Sequence, residues 1–396
     1  MPAFLALLFA YVLSQFYRAF LAVVASDLSR DLGLGPAELG MISAVWFAAF
    51  AFAQFPVGWA LDRLGPRRTI AGFMTGAVAG AGLLALSTSY AGALAAMALI
   101  GVGCAPVLMG SMYLFGRIYP VDRFTMLSSL MLGLAAGGNL LGATPLALAA
   151  EALGWRTAMA GIAAITALAV ALVFTVIRDP PVLVGEARAS ALAGVVEVAA
   201  IRSLWPMLPL TFVGYAVVIS TRALWIGPFF GEVHGFGPTA RGNAALAMAA
   251  AMALGALAYG PVERLLGHPK PAVLVGSAAT AVCFLAVGAW GVRDATLSIL
   301  LLTAVGFLGM TYAVFMSHAC LFFSPALLGR GVTFMNFSFI GGAGVAQWLS
   351  GLFVEAAQRA GEPSSAIFGR LFLIFGAVLL AAAAVYATAP RGGLRR

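Results

Sequence analysis

The chain has 396 residues, 62% hydrophobic and 9% charged, with a mean hydropathy of +1.02. Soluble domains carry about 25% charged residues, so this composition excludes a water-soluble globular protein and indicates many membrane crossings. The net charge of +8, carried by arginine with Lys270 as the single lysine, follows the loops as the positive-inside rule requires and is not a nucleic-acid signal.

Apolar runs between short polar stretches predict about twelve spanning helices. The first six fall near 3–27, 37–60, 69–89, 92–117, 124–150 and 157–177. The second six fall near 204–231, 242–262, 271–290, 296–323, 331–356 and 366–388. The N-terminal run continues past Arg18 with no cleavage site, too long for a signal-peptide core, so no cleavable leader is expected. That first helix reads AYVLSQFYRAFLAVVA, with Arg18 inside it and no acid until Asp27, nine residues on. Nine residues are roughly 13 Å along a helix, too far for the pairing that a spacing of three or four allows. Ser14 and Gln15, at those shorter spacings, are the expected co-ligands on the same face.

Gln54 on the second helix, Tyr113 on the fourth and Asn139 on the fifth are polar groups inside spans. Each either lines a cavity or bonds and packs against a neighbouring helix. Gly101, Gly103, Gly137, Gly138, Gly341, Gly342 and Gly344 are read as sites of close helix approach, and Pro106 and Pro145 as bends. The longest polar interruption, 178–203, divides a first half at 1–177 from a second at 204–396. Its two prolines end a helix, and its later part suits an amphipathic surface segment.

The seventh helix, FVGYAVVISTRALWIGPFF, carries Arg222, with its nearest downstream acid at Glu232. Trp225 shares the face of Arg222 and either walls a pocket or packs. His318 in the tenth helix either carries a proton, contacts an anion or is tied to a neighbouring helix. Asn336 and Gln347 in the eleventh are open to the same two readings as Asn139. Met248 and Met252, with Met316, His318 and Cys320, form a set of soft ligands of the kind that suits Cu(I). The cysteines Cys104, Cys283 and Cys320 lie in apolar stretches and make neither a disulfide framework nor a CxxC motif.

An arginine at the centre of a span costs roughly 2.5–3.5 kcal/mol on insertion scales, so two without nearby acids call for an explanation. Either each snorkels or pairs with another helix, or both serve an anion. Loop charge orients the chain. Arg63, Arg67, Arg68, Arg117, Arg123, Arg178, Arg188, Arg202, Arg264, Lys270, Arg330, Arg391, Arg395 and Arg396 fall on one side. Arg30, Arg156, Arg241, Arg293, Arg359 and Arg370 fall on the other, so both termini and the central loop are expected to be cytoplasmic. The halves also repeat: Arg18 precedes Asp62-Arg63 much as Arg222 precedes Glu263-Arg264, and MGSMYLF corresponds to MSHACLF. A parallel repeat across a central loop is the signature of a transporter built from two bundles.

Between the second and third helices stands Gly58-Trp-Ala-Leu-Asp62-Arg63-Leu-Gly65-Pro-Arg67-Arg68, with a degraded copy from Gly260 to Gly267. This resembles the major facilitator superfamily, whose loop motif GxxxDRxGxRR it matches in every signature position. The resemblance implies an all-α membrane fold of twelve helices in two pseudo-symmetric six-helix bundles. It also implies that Gly58, Asp62, Arg63, Gly65, Arg67 and Arg68 lock the two halves, with Asp62 near a helix N-terminus. The stretch around Tyr17-Arg18-Ala-Phe is similar to the organic anion and organophosphate branch, whose first- and seventh-helix arginines bind a phosphate or carboxylate. Leu134 stands where the organophosphate exchangers have a histidine, which points away from phosphate esters. Met97 stands about where many proton-coupled members carry an arginine.

The expectation is a monomeric secondary transporter of a small organic anion in the inner membrane, working by exchange or by symport with a proton or sodium ion. Arg18 and Arg222 are its principal ligands, and Ser14, Gln15, Tyr113, Asn139, Trp225, His318 and Asn336 are candidate site residues. No cofactor, resident metal or nucleic-acid partner is expected. Nor is an enzyme, because no catalytic constellation is present. The alternative is a carrier of copper or a neutral solute in which the arginines are structural.

Overall fold

The computed structural model describes residues 2–119, 127, 130–131, 133–135, 137–179, 197–323 and 328–391, with the backbone alone at 62, 116, 328–330, 332 and 333. Regular structure among them is helical. The first half contains α1 (Pro2–Phe16), α2 (Leu21–Leu32), α3 (Pro36–Leu86), α4 (Tyr90–Cys104), α5 (Pro106–Ile118), α6 (Gly137–Leu141), α7 (Thr144–Leu153) and α8 (Trp155–Val176). The second contains α9 (Leu208–Ser220), α10 (Ile226–Glu232), α11 (Pro238–Leu266), α12 (Pro269–Ala289), α13 (Ala295–Leu308), α14 (Tyr312–Cys320), α15 (Leu328–Arg359) and α16 (Ser364–Ala387). Eleven spans are long and apolar enough to cross a membrane, or twelve when α1 and α2, bent by 50°, count as one. This is a multi-pass membrane protein.

Contacts divide the chain into two units, Met1–Glu186 with Gly237–Leu246, and Ala187–Phe236 with Ala247–Arg396. The first unit takes in the opening turns of α11. There Arg241 donates to Ser26 Oγ (2.7 Å), Thr144 Oγ1 donates to Asn243 Oδ1 (2.9 Å), and Thr239 donates to the Glu151 carboxylate.

Helix pairs inside each unit approach through glycine, because apolar lipid gives helices no hydrophobic reason to associate and close packing must supply it. A Cβ on Gly138 of α6 would overlap the Val12 carbonyl of α1, and one on Gly142 would press on Ala19 and the Phe16 carbonyl. In the second unit a Cβ on Gly342 of α15 would overlap the Phe212 carbonyl of α9. Gly138 and Gly342 are separated by the same stretch of sequence as Arg18 and Arg222, so the same contact recurs in both repeats.

The predicted lock motif lies at a kink inside α3. Gly65 adopts φ 80°, ψ 165°, a conformation open to glycine, and Pro66 begins the next helical stretch. The first-turn N–H of Arg67 donates to Asp179 Oδ1 at 2.7 Å, and a Cβ on Gly65 would collide with that carboxylate. The Arg67 guanidinium lies 4.3 Å from the Phe174 ring centroid, and Arg63 lies 5.2 Å from that of Trp59. Gly58 faces open space, Arg68 is exposed, and the Asp62 side chain lies outside the described residues. The carboxylate seen at this helix N-terminus is therefore Asp179, from the segment after α8. The sequence reading did not single it out, because the pairing spans more than a hundred residues.

Two predictions follow the packing. Gly138→Ala and Gly342→Ala should each destabilise the protein by about 1–3 kcal/mol through overpacking. Gly137→Ala and Gly341→Ala, whose added methyls meet nothing within 4 Å, should be near neutral in the same thermal melts. Asp179→Ala should remove the helix cap at Arg67 and lower stability by about 0.5–2 kcal/mol.

Candidate functional site

The first unit places Arg18 in a non-helical turn, residues 17–20, between α1 and α2. YRAF contains neither glycine nor proline, so the break is not a local propensity effect. The turn is closed by short-range bonds, Arg18 N–H to Gln15 O (3.2 Å) and Ala19 N–H to Phe16 O (2.9 Å). Tyr17 anchors it to α8 through a buried 2.8 Å bond between its hydroxyl and Thr166 Oγ1. Arg18 is half-buried, and its guanidinium lies 4.8 Å from the Phe50 ring centroid and 5.7 Å from that of Trp46, both on α3. Among the described residues it makes no ion pair, and its buried Nε has no hydrogen-bond partner.

The predicted neighbours of Arg18 separate. Gln15 is half-buried like Arg18 and makes only a long 3.4 Å bond to the Tyr11 hydroxyl, whereas Ser14 is buried. Gln54, one turn beyond Phe50, points its amide at the Ala105 carbonyl (3.5 Å), where α4 gives way to α5. Tyr113 is half-buried with Arg117 over its ring at 5.7 Å, and Asn139 is half-buried on α6 beside Gly138.

The second unit places Arg222 in another irregularity. Residues Thr221–Trp225 form a π-helical turn between α9 and α10, closed by the Ile226 N–H reaching back to Thr221 O. Single π turns inside α-helices occur often at functional sites. Arg222 is 3% exposed. Trp225 is buried, donates from its indole N–H to Ser350 Oγ (2.8 Å) and meets Phe368 edge-on, so it braces the π turn against α15 and α16. Gln347, one turn before Ser350, is fully buried with both amide atoms lacking partners.

Asn336 accepts from the Tyr312 hydroxyl (3.0 Å), and Tyr312 and Tyr215 pack on Phe339. Tyr215 is two turns before Arg222 and half-buried, so it joins Asn336 and Tyr312 in one patch that the sequence reading assembled only in part. His318 sits elsewhere in the unit, in α14 and against the C-terminal end of α16. The Pro390 carbonyl can only accept, so Nε2 carries the proton (3.2 Å) and Nδ1 accepts from the Tyr386 hydroxyl (2.6 Å). Both ring nitrogens are thus engaged by protein. Met248 and Met252 are buried over Gly306 of α13. Among the described residues no group of three or more His, Cys, Asp or Glu could hold a metal ion.

The comparisons agree with this architecture. A family model described as Major Facilitator Superfamily matches residues 7–317. The chain is 37% identical over 51 residues to a probable galactarate/D-glucarate transporter of Escherichia coli, covering 13% of this chain and 11% of that protein. It is 40% identical over 65 residues to a probable L-galactonate transporter of the same organism, covering 16% and 14%. The matched segments therefore span only a small part of these relatives' length. Among solved structures, the fold is similar to a bacterial homolog of the human lysosomal transporter Spinster in an inward-facing, occupied conformation. The TM-score is 0.82 at 17% identity, over 98% of this chain and 96% of that one. It is also similar to the nucleoside transporter NupG, with a TM-score of 0.80 at 14% identity, over 98% and 100%. These likenesses show the fold. The family is one of transporters and not of enzymes, and its profile covers both repeats of arginine and kinked helix: the chain belongs to the Major Facilitator Superfamily.

Proposed function

We propose that the protein carries a small organic anion, of the hydroxylated carboxylate class named for the relatives in Escherichia coli, across the inner membrane by alternating access. Arg18 in the first unit and Arg222 in the second supply the positive charge that the carboxylate requires, through charge-assisted and bidentate hydrogen bonds. The observation that carries this reading is their placement. Each arginine stands inside an apolar span, at repeat-equivalent positions, where the helix is broken or widened. Non-helical backbone at membrane depth is tolerated where it is buried in protein or lines a cavity, and transporters use interrupted helices to build their sites.

Gln15 beside Arg18 and the Tyr215, Tyr312 and Asn336 patch below Arg222 offer the neutral donors and acceptors that hydroxyl groups need. A copper ion would meet like charge at the guanidinium groups, and a neutral cargo would make no use of them, so neither alternative is favoured. The bundles 1–177 and 204–396, joined by 178–203, rock about the bound anion with both termini cytoplasmic. In this reading the anion's charge, carried against Arg18 and Arg222, makes closure of the loaded carrier easier than closure of the empty one. The transport mode is accordingly exchange, or symport with a proton or sodium ion, by a monomer.

The test is a thermal-shift titration of purified protein with galactarate, galactonate, inorganic phosphate, copper and neutral galactose. A ligand at about 100 times its Kd stabilises by about 2.7 kcal/mol, a readily measured rise in Tm. Galactarate or galactonate should give that rise, and Arg18→Gln and Arg222→Gln should each abolish it, with binding weaker by roughly 10–100-fold. Stabilisation by copper or galactose that survives both substitutions would sink the proposal. In proteoliposomes, internal anion should accelerate uptake of external anion well beyond the rate into empty vesicles. Equal rates would exclude obligatory exchange.

A further inference from the structure

Arg18 is held by something other than an opposite charge, and its surroundings bear on how the proposed anion would be bound. Trp46 and Phe50 stand one turn apart on α3, their rings stacked at 5.3 Å with 21° between planes. They are 1% and 5% exposed, so they form a fixed surface within the first unit. The Arg18 guanidinium lies within 6 Å of both ring centroids, the range in which a cation is attracted to an aromatic face. The helix break at 17–20 frees Arg18 from the regular path of α1, so the two rings take over part of the positioning that an unbroken helix would give.

Its Nε is buried and unpartnered, as is the Trp46 indole N–H. Each orphaned donor in a low-dielectric site costs free energy until an acceptor arrives. We propose that Trp46 and Phe50 form an aromatic shelf that positions the Arg18 guanidinium for a planar carboxylate, making them positioning residues for anion binding. A guanidinium kept against aromatic rings retains its edge of N–H donors for in-plane, bidentate contact, which a lysine ammonium cannot reproduce.

The positions that correspond to the shelf in the second half carry different side chains. Gly101 packs on the Trp46 carbonyl, and Gly306 packs on that of Met248, which identifies Met248 and Met252 as the counterparts of Trp46 and Phe50. Thioethers offer Arg222 no aromatic face. Stacking on Trp46 and Phe50 is thus a feature of Arg18 that Met248 and Met252 do not reproduce at the matching positions.

The inference rests on the anion-carrier reading, and the experiment separates the two. Galactarate affinity would be measured by thermal-shift titration on full-length Trp46→Leu, Trp46→Phe and Phe50→Leu, with the Tm of each unliganded protein recorded alongside. Trp46→Leu and Phe50→Leu should weaken binding about tenfold, and the fall in each unliganded Tm, from the cavity that a smaller side chain leaves, is read separately from the ligand-induced shift. Trp46→Phe, which keeps a ring, should restore most of the affinity. Unchanged affinity in both leucine variants would overturn the shelf, and so would equal losses for Trp46→Phe and Trp46→Leu. A second readout needs no ligand. The Trp46 emission, taken as native minus Trp46→Phe, should differ from the same difference measured in an Arg18→Gln background. Identical difference spectra would overturn the shelf whatever the cargo is. Should the native protein fail to bind galactarate, the hydroxy-acid reading falls and the emission comparison alone decides the shelf.

Discussion

Hydrocarbon offers no hydrogen bonds, so a chain that crosses it must satisfy its backbone within its own helices, and each interruption has to be closed by some other contact. Most spans here meet that condition simply, as continuous helices brought together at glycines. The interruptions at Arg18 and Arg222 meet it differently. In the turn 17–20, amides shift to nearer carbonyls, Arg18 to Gln15 O and Ala19 to Phe16 O, and the Tyr17 hydroxyl ties the turn to Thr166. In Thr221–Trp225 the ladder widens to a π turn, braced by the indole of Trp225 on Ser350. The same problem, a charged side chain within a span, is solved by a break in one half and a widened turn in the other.

The two halves share positions more closely than chemistry. Gly138 and Gly342 make the same backbone-to-backbone approach in each unit, to α1 and α9 respectively. Trp46 and Phe50 in one half, by contrast, answer to Met248 and Met252 in the other. A duplicated scaffold keeps the contacts that allow its helices to pack, because small changes there collide with backbone that cannot yield. Side chains near the arginines are freer to diverge, and that is where a binding preference can be set.

The lock motif shows how local pattern and long-range contact divide the information. Gly65-Pro66 marks a turn between two helices from sequence alone, and the structure places the kink there with Gly65 at positive φ. Asp62, within the motif, was expected near the new helix N-terminus, and its side chain lies outside the described residues. Asp179, in the segment after α8, accepts from the Arg67 N–H there. His318 carries the same lesson. A histidine in an apolar run is equally compatible with a ligand and a tether, and the contact with Pro390, beyond the last helix, fixes its tautomer.

Hydropathy, loop charge and the repeat were enough to determine an all-helical membrane protein of about twelve spans, its family motif, and two arginines without nearby acids. Those features are properties of composition and of spacing along one helix, which a linear string records directly. The bend at Tyr17–Phe20 and the π turn at Arg222 were not legible, because YRAF and TRALW contain no glycine or proline to signal them. Neither were the Trp46–Phe50 surface under Arg18 or the joining of Tyr215, Tyr312 and Asn336, since each combines residues from different helices. The charge was written in the sequence; its orientation was decided only when neighbouring helices packed against it and left the broken turn no straighter path.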